Sequence, residues 1–211
     1  LLDNPYRSLD PAVEADTSKN AEHAALARDG SRRSIVMLKN DGVLPLRKQG
    51  QKIALIGPFG ADVDNLEGCW TLFGDSTRHV DIETGLRDAL AEGATLEVVA
   101  GCGIEDAIAG GIEEAVAAAK RADVVLLAIG EPQVYSGEAQ SRTNIIVPAA
   151  QQALAEAVAA TGTPVVVLLK NGRALALTGA VREANAILVT WFLGSQTGPA
   201  IADVVFGDYN P

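Results

Sequence analysis

Residues 122–131 read ADVVLLAIGE, an apolar run rich in β-branched residues that ends in a glycine and a glutamate. Continuous apolar runs of this kind are typical of strands in parallel sheets, where both faces are buried. The loops after the carboxyl ends of such strands carry the sites of open α/β sheets. The next residues, PQVYSGEAQSR (132–142), therefore bring Glu138 and Arg142 to the same edge as Glu131. A glutamate on such a loop can move protons, hold a metal ion or only cap the next helix.

Strand-like and helix-like segments alternate on both sides of this run. We expect strands at 34–38, 52–56, 95–100, 123–129, 164–170 and 186–192, and helices at 18–34, 82–91, 111–121, 149–160, 175–183 and 198–206. This alternation predicts an α/β fold, a three-layer α/β/α sandwich around a five- or six-stranded, mostly parallel sheet. Residues 1–17 contain two prolines and no apolar period, so we expect a linker there and one domain over residues 18–211.

Composition excludes several classes of partner. The chain has 211 residues and a net charge of −10, which disfavours a nucleic acid or an anionic membrane surface. No apolar run reaches the roughly 18 residues that a bilayer span needs. The chain begins at Leu1 and ends in the turn-like DYNP (208–211), which we interpret as the limits of a fragment.

Common cofactor and nucleophile motifs are absent. No glycine is followed by lysine, as a phosphate-binding loop requires, and GCGIED (101–106) lacks the third glycine of a dinucleotide fingerprint. GSQTG (194–198) places its serine one position early for a nucleophile elbow. We expect no cofactor and no metal, because no His, Cys and Asp cluster has ligand spacing. His23 and His79 are interpreted as satisfied or solvated, and Cys69 and Cys102 as free buried thiols.

Several motifs follow one another along nearly the whole chain. They are SIVMLKNDGVLPL (34–46), KIALIGP (52–58), GCW (68–70), EAQSRT (138–143), NGR (171–173), WFLG (191–194) and FGDYNP (206–211). In this order they resemble the second, α/β-sandwich domain of glycoside hydrolase family 3, and most of all its bacterial periplasmic β-glucosidases. In those enzymes an N-terminal (β/α)8 barrel precedes this domain, and NPY (4–6) resembles the end of the connecting segment.

The resemblance implies a reaction and roles for three residues. The family hydrolyses β-glycosides with retention, using an aspartate nucleophile on the barrel, which lies outside this chain. Glu138 matches the acid/base glutamate of the second domain, Arg142 resembles the arginine that follows it, and Trp70 resembles an aromatic residue beside the aglycone. Glu138 is thus the predicted catalytic residue, and Trp70 and Arg142 are predicted to bind substrate. Cys69 and Gly137 depart from the family pattern, which leaves aglycone preference open.

The resemblance also implies partners and a compartment. We expect a β-glycoside substrate, the barrel of the same polypeptide as the partner domain, and a periplasmic or secreted location. Because a retaining glycosidase needs two carboxyl groups about 5–5.5 Å apart, the chain alone should be inactive.

Several of these residues also have a purely structural interpretation. Glu131 is the rival carboxylate, but it directly follows a strand, where contacts with a neighbouring loop or with Arg142 are expected. Trp70 lies in a polar stretch, so a sugar-stacking role is favoured over local packing, whereas Trp191 lies in an apolar run and is expected in the core. KN (39–40) and KNGR (170–173) are interpreted as turns and salt bridges. A non-catalytic carbohydrate-binding module and a flavodoxin-like nucleotide binder remain as alternatives.

Overall fold

The computed structural model describes Asp3, residues 10–13 and residues 21–211. Of the predicted linker, only Asp3 and residues 10–13 fall within this part, and residues 11–13 are helical. The predicted helix start at Ser18 and the NPY motif (4–6) lie outside the described residues.

Residues 21–211 form one sheet and six α-helices. The strands are β1 (Val36–Asn40), β2 (Lys52–Ile56), β3 (Thr95–Val99), β4 (Val124–Gly130), β5 (Val165–Lys170) and β6 (Ala186–Val189). The helices are α1 (Ala21–Ser34), α2 (Ile82–Ala89), α3 (Gly111–Arg121), α4 (Ala149–Ala159), α5 (Gly179–Glu183) and α6 (Thr197–Val205). Short 3-10 turns occur at Ser76–Arg78, Gln133–Tyr135 and Gly194–Gln196.

The sheet has six strands in the order β1-β6-β5-β4-β2-β3. All neighbouring strands run parallel except β1, which pairs antiparallel with β6 at the edge. Every residue of β4, β5 and β6 is buried, as expected for strands covered on both faces. The predicted α/β sandwich with a five- or six-stranded, mostly parallel sheet is therefore confirmed, with six strands.

Two apolar clusters hold the helices against the sheet. On one face, Leu126 and Leu168 pack in the same cluster as Leu86 of α2 and Ile201 of α6. On the other face, Leu127 packs in a cluster with residues of α3, α4 and α5. Helix α1 lies against α6. Successive side chains of a strand point to opposite faces of the sheet, so each apolar strand contributes to both clusters. The sheet therefore lies between two layers of helices.

Several predicted element boundaries are wrong, and three of them have a clear local reason. The strand predicted at 34–38 begins only at Val36, because α1 continues through Ser34. The strand predicted at 186–192 ends at Val189, because Trp191 adopts a φ of 54°, which no strand includes. The helix predicted at 175–183 begins at Gly179, since the backbone N–H of Ala176 donates to Ile145 in another loop.

Candidate functional site

The loops after β2, β4, β5 and β6 meet at the carboxyl edge of the sheet. Backbone hydrogen bonds join them: Gly194 donates to Leu66 over 2.7 Å, and Val80 donates to Ser195 over 3.0 Å. Because the strands are parallel, their loops leave from one edge and converge there. The carboxyl edge is therefore where residues far apart in sequence come together.

Glu138 lies on the loop that follows β4 and is exposed. The loop passes through the 3-10 turn Gln133–Tyr135 and has left-handed backbone at Gly137 (φ 110°) and Ala139 (φ 61°). Within the described part of the chain, the Glu138 side chain forms no hydrogen bond and no ion pair. Its carboxyl group is thus free to meet a ligand or a partner domain.

Trp70 lies beside this loop. A methyl group built on Gly137 would lie 4.0 Å from the Trp70 ring and 3.0 Å from Cys69 Sγ, so the ring stands next to the residue that precedes Glu138. Trp70 is 70% exposed, as the sequence predicted, and Leu72 and Phe73 beside it are even more exposed. An exposed indole face on a neighbouring loop suits the apolar C–H face of a sugar.

The loop carrying Trp70 and the loop carrying Glu138 are tied together by one glutamine. Gln133 receives a hydrogen bond from the Gly68 N–H at its Oε1 (3.0 Å), and its own N–H donates to Asn65 Oδ1 (3.1 Å). The two loops are consequently held as a pair.

Glu131 occupies a different environment from Glu138. It directly follows β4, its side chain is completely buried, and its backbone N–H donates to Lys170 over 2.9 Å. Its two carboxylate oxygens lie 3.3 Å from Arg142 Nε and 3.2 Å from Arg173 Nε. The predicted contact between Glu131 and Arg142 is therefore present, and Arg173 forms a second one.

Arg142 also contacts an aromatic side chain. Its guanidinium carbon lies 4.1 Å from the centre of the Tyr135 ring, a cation–π distance. The Tyr135 hydroxyl donates to Glu105 over 2.6 Å, and this hydrogen bond together with burial raises the pKa of Tyr135. About a quarter of the Arg142 side chain remains exposed, so its predicted contact with substrate stays a prediction.

Lys170, at the end of β5, is buried although charged. Its Nζ lies 3.1 Å from Asp62 Oδ2 and donates to the Asn65 carbonyl over 3.0 Å, above the Phe59 ring. Burial lowers the pKa of this lysine, and Asp62 opposes that effect. The salt bridges predicted for KNGR (170–173) are thus formed by both Lys170 and Arg173.

A buried histidine secures the segment that carries Trp70. His79 Nδ1 lies 2.6 Å from the Val63 carbonyl, and Nε2 lies 2.9 Å from Glu67 Oε1, in an orientation too oblique for a good hydrogen bond. The Glu67 carboxylate lies against Gly74, where an added methyl group would overlap it. Of the two ring nitrogens of His79, Nδ1 is therefore satisfied as predicted, whereas Nε2 lies close to Glu67 without a hydrogen bond; His23 is exposed on α1.

The remaining candidate groups carry no further chemistry. Cys69 and Cys102 are both free thiols, as predicted, but only Cys102 is buried; burial raises the pKa of Cys102 to about 11. In the portion of the chain that is described, no three His, Cys, Asp or Glu side chains are placed to hold a metal ion. No described helix combines the length and apolarity needed to cross a membrane.

Sequence reasoning missed some residues of this site. Tyr135, Glu105 and the Glu67–His79 pair were not singled out as part of it, because each acts through a contact between separate loops. The signal that could have identified Tyr135 is its position on the same loop as Arg142, since aromatic rings are common partners of arginine.

Comparison with known proteins places these features in a family. The profile of the glycosyl hydrolase family 3 C-terminal domain matches residues 35–211. The chain is 40% identical to a periplasmic β-glucosidase of Salmonella typhimurium, covering all of this chain and 31% of that protein. It is 35% identical to a β-xylosidase of Formosa agariphila, covering all of this chain and 30% of that protein.

A solved structure gives the same result. The β-glucosidase from Listeria innocua, crystallised with isofagomine, superimposes with a TM-score of 0.91 at 36% identity, over all of this chain and 29% of that one. The chain thus spans less than a third of the length of each of these three proteins.

Proposed function

This chain belongs to glycoside hydrolase family 3, as a C-terminal domain of that family, and we propose that it supplies Glu138 as the general acid and base for hydrolysis of terminal β-glycosides. The aspartate nucleophile then lies on a barrel domain of the same polypeptide. The relatives are about three times as long as this chain, which leaves room for such a domain. Relatives named as a β-glucosidase and a β-xylosidase support a β-glycoside as the substrate class.

One observation carries the proposal: Glu138 is exposed, has no ion pair among the described residues, and directly follows Gly137, which lies beside the exposed ring of Trp70. Glu131, the rival, is buried between two arginines and has no exposed surface with which to meet a substrate. A general acid must come within hydrogen-bond reach of the leaving oxygen, so geometry favours Glu138.

The mechanism uses the Glu138 carboxyl twice. In the first step, the protonated group gives its proton to the leaving alcohol while the nucleophile on the partner domain forms the glycosyl–enzyme bond. In the second step, the carboxylate takes a proton from water, which then attacks the same carbon and releases the sugar. Docking of the partner domain would bury Glu138 and bring its carboxyl within reach of the leaving oxygen.

Trp70 and Arg142 complete the proposed site. Trp70 offers a face on which the sugar or aglycone beyond the cleaved bond stacks. The exposed quarter of Arg142, four residues beyond Glu138, is available for a hydrogen bond to a sugar hydroxyl. The name of the Salmonella relative supports a periplasmic or secreted location, which cell fractionation would test.

The deciding experiment uses the polypeptide in which this chain is joined to its nucleophile domain. Glu138→Ala should lower kcat/KM on a disaccharide by about 10²–10⁴-fold, the usual contribution of general acid catalysis. A dinitrophenyl glycoside needs no proton on its leaving group, so its kcat/KM should change far less. Azide can attack the glycosyl–enzyme without a general base. Adding it should therefore restore kcat of Glu138→Ala on the dinitrophenyl glycoside and yield a β-glycosyl azide.

The controls separate catalysis from folding and from simple binding. Glu113→Ala, an exposed glutamate on α3, should leave all of these rates unchanged. The chain without its partner domain should not hydrolyse nitrophenyl glycosides, because half of the carboxyl pair is missing. If the joined protein binds sugars but lacks turnover, the chain is a non-catalytic binding module, and equal losses on both substrates would exclude Glu138 as the acid.

A further inference from the structure

The buried carboxylate of Glu131 stands at the start of the loop that carries Glu138. A buried charge is costly unless it is paired, so the partners of Glu131 must hold fixed places. Those partners are the Nε atoms of Arg142 and Arg173, at 3.3 and 3.2 Å. None of these three groups makes a well-directed hydrogen bond to another, so the attraction is mainly one of charge.

Arg142 links Glu131 to the loop that carries Glu138. It lies four residues after Glu138, and its guanidinium stacks on Tyr135, three residues before Glu138. Tyr135 is held in turn by its hydrogen bond to Glu105. The chain on both sides of Glu138 consequently contacts one guanidinium, which lies 3.3 Å from the buried Glu131 and 3.6 Å from the more exposed Glu105.

Gln133 holds the start of the same loop from the other side. Its bonds to Asn65 and Gly68 fix the loop against the segment that carries Trp70. The residues between Tyr135 and Arg142 have two left-handed positions and few bonds of their own, so the tip depends on these two anchors.

We propose that Glu131 is a positioning residue for the acid/base: its buried charge orients Arg142, which sets where the Glu138 carboxyl stands. This rests on the proposed function of Glu138. An error of 1 Å in the position of a reacting group can cost about 10²-fold in rate, so loss of the charge should be visible in catalysis.

The experiment compares Glu131→Gln with a matched control in the joined enzyme. The control is Asp203→Asn, since Asp203 on α6 is also a buried carboxylate between two arginines: Arg28 Nε donates to it over 2.8 Å and an Arg32 nitrogen lies 3.8 Å away. Neither arginine touches the loop after β4. Both variants remove one buried negative charge, but only one of the two charges faces Arg142.

The measured quantity is kcat/KM on a disaccharide and on a dinitrophenyl glycoside. Glu131→Gln should lower the first about 10- to 100-fold more than the second, because only the disaccharide needs a well-placed proton donor. Asp203→Asn should lower both equally or not at all. Glu131→Gln combined with Glu138→Ala should be no slower than Glu138→Ala alone, because Glu131 acts through Glu138.

A second variant covers poor folding of Glu131→Gln. Arg142→Lys keeps the charge opposite Glu131 but loses the planar group that stacks on Tyr135, and it should show the same selective loss. Equal losses on both substrates in these variants would overturn the positioning role. If Glu138→Ala itself shows no dependence on the leaving group, the proposed function fails instead, so the two failures can be told apart.

Discussion

The two edges of the sheet differ in how deeply their ion pairs are buried. At the carboxyl edge, Glu131 and Lys170 are buried and paired through loops that come from distant parts of the chain. At the amino edge, Glu97 and Arg121 form an ion pair in which each side chain remains about half exposed. Exposed pairs contribute little to stability, whereas buried charges are costly to leave unpaired. Of these pairs, the buried ones lie at the edge that carries the candidate site.

Two glycines should show the largest difference between the edges. Gly130, at the carboxyl edge, has a φ of 138°, and an added methyl group would lie 1.8 Å from the Lys170 carbonyl oxygen. Gly130→Ala should lower the free energy of unfolding by more than about 4 kcal/mol, in the range of exceptional single substitutions. Urea unfolding followed by circular dichroism measures this effect.

Gly50, before β2 at the amino edge, is the matched control. Its φ is also positive, at 61°, but nothing lies within 4 Å of an added methyl group. Gly50→Ala should cost only about 1–2 kcal/mol, the usual penalty for left-handed backbone in a residue with a side chain. If Gly130→Ala and Gly50→Ala lower the free energy of unfolding equally, the two edges do not differ in packing as we infer.

Removing one partner of a buried pair should give the next largest effect. Glu131→Ala leaves Arg142 and Arg173 without their common carboxylate, and should lower the free energy of unfolding by about 3 kcal/mol. We expect the lower end of the known range because about a quarter of each arginine side chain is exposed. Glu97→Ala, measured in the same urea titration, should change nothing beyond error. A neutral Glu131→Ala would mean that the buried pair is not critical to the fold.

Glu138 lies only seven residues after Glu131, but unlike Glu131 it should contribute nothing to the free energy of unfolding. Its side chain is exposed and forms no bond within the described residues, so Glu138→Ala should shift the free energy of unfolding by no more than about 0.5 kcal/mol. A clear loss of stability in this variant would place Glu138 in the structural network and not at a free surface.

Another small effect should come from the dependence of stability on pH. Burial lowers the pKa of His79, but the Val63 carbonyl and the Glu67 and Asp75 carboxylates outweigh it, so the pKa is raised. The protonated form is thus favoured by folding. Its stabilisation is complete below the ordinary histidine pKa of about 6.5 and is lost as pH rises through the raised value.

Thermal unfolding of paired variants isolates this contribution. His79→Gln should lower the melting temperature more at mildly acidic pH than at alkaline pH, while His23→Gln, on an exposed face of α1, should have no effect at either. A His79→Gln penalty that grows with pH would contradict the sign of the pKa shift.

The sequence was sufficient for the parts of the fold that depend on local pattern. β4 and β5 were predictable because their apolar runs can only be buried on both faces. The end of β6 was not, since the turn at Trp191 depends on tertiary contacts: Thr190 donates to Leu169, and Trp191 Nε1 donates to Ser34.

The contacts of the candidate site were likewise only partly predictable from the sequence. The contact of Glu131 with Arg142 followed from the position of a glutamate at a strand end. The contact with Arg173 required knowing that β5 lies next to β4, and the contact of His79 with Glu67 spans a loop with no periodic pattern. Contacts between separate loops leave no regular spacing in a single sequence.

The two tryptophans give this chain an internal optical reporter. Trp191, predicted in the core, is only partly buried against it and donates a hydrogen bond to Ser34, whereas Trp70 is 70% exposed near the loop that carries Glu138. A collisional quencher added to the native chain should therefore reach the Trp70 indole more readily than that of Trp191. Any sugar or domain that covers the carboxyl edge withdraws Trp70 from the quencher and shifts its emission to shorter wavelength. Fluorescence can thus follow occupancy of the candidate site without a label.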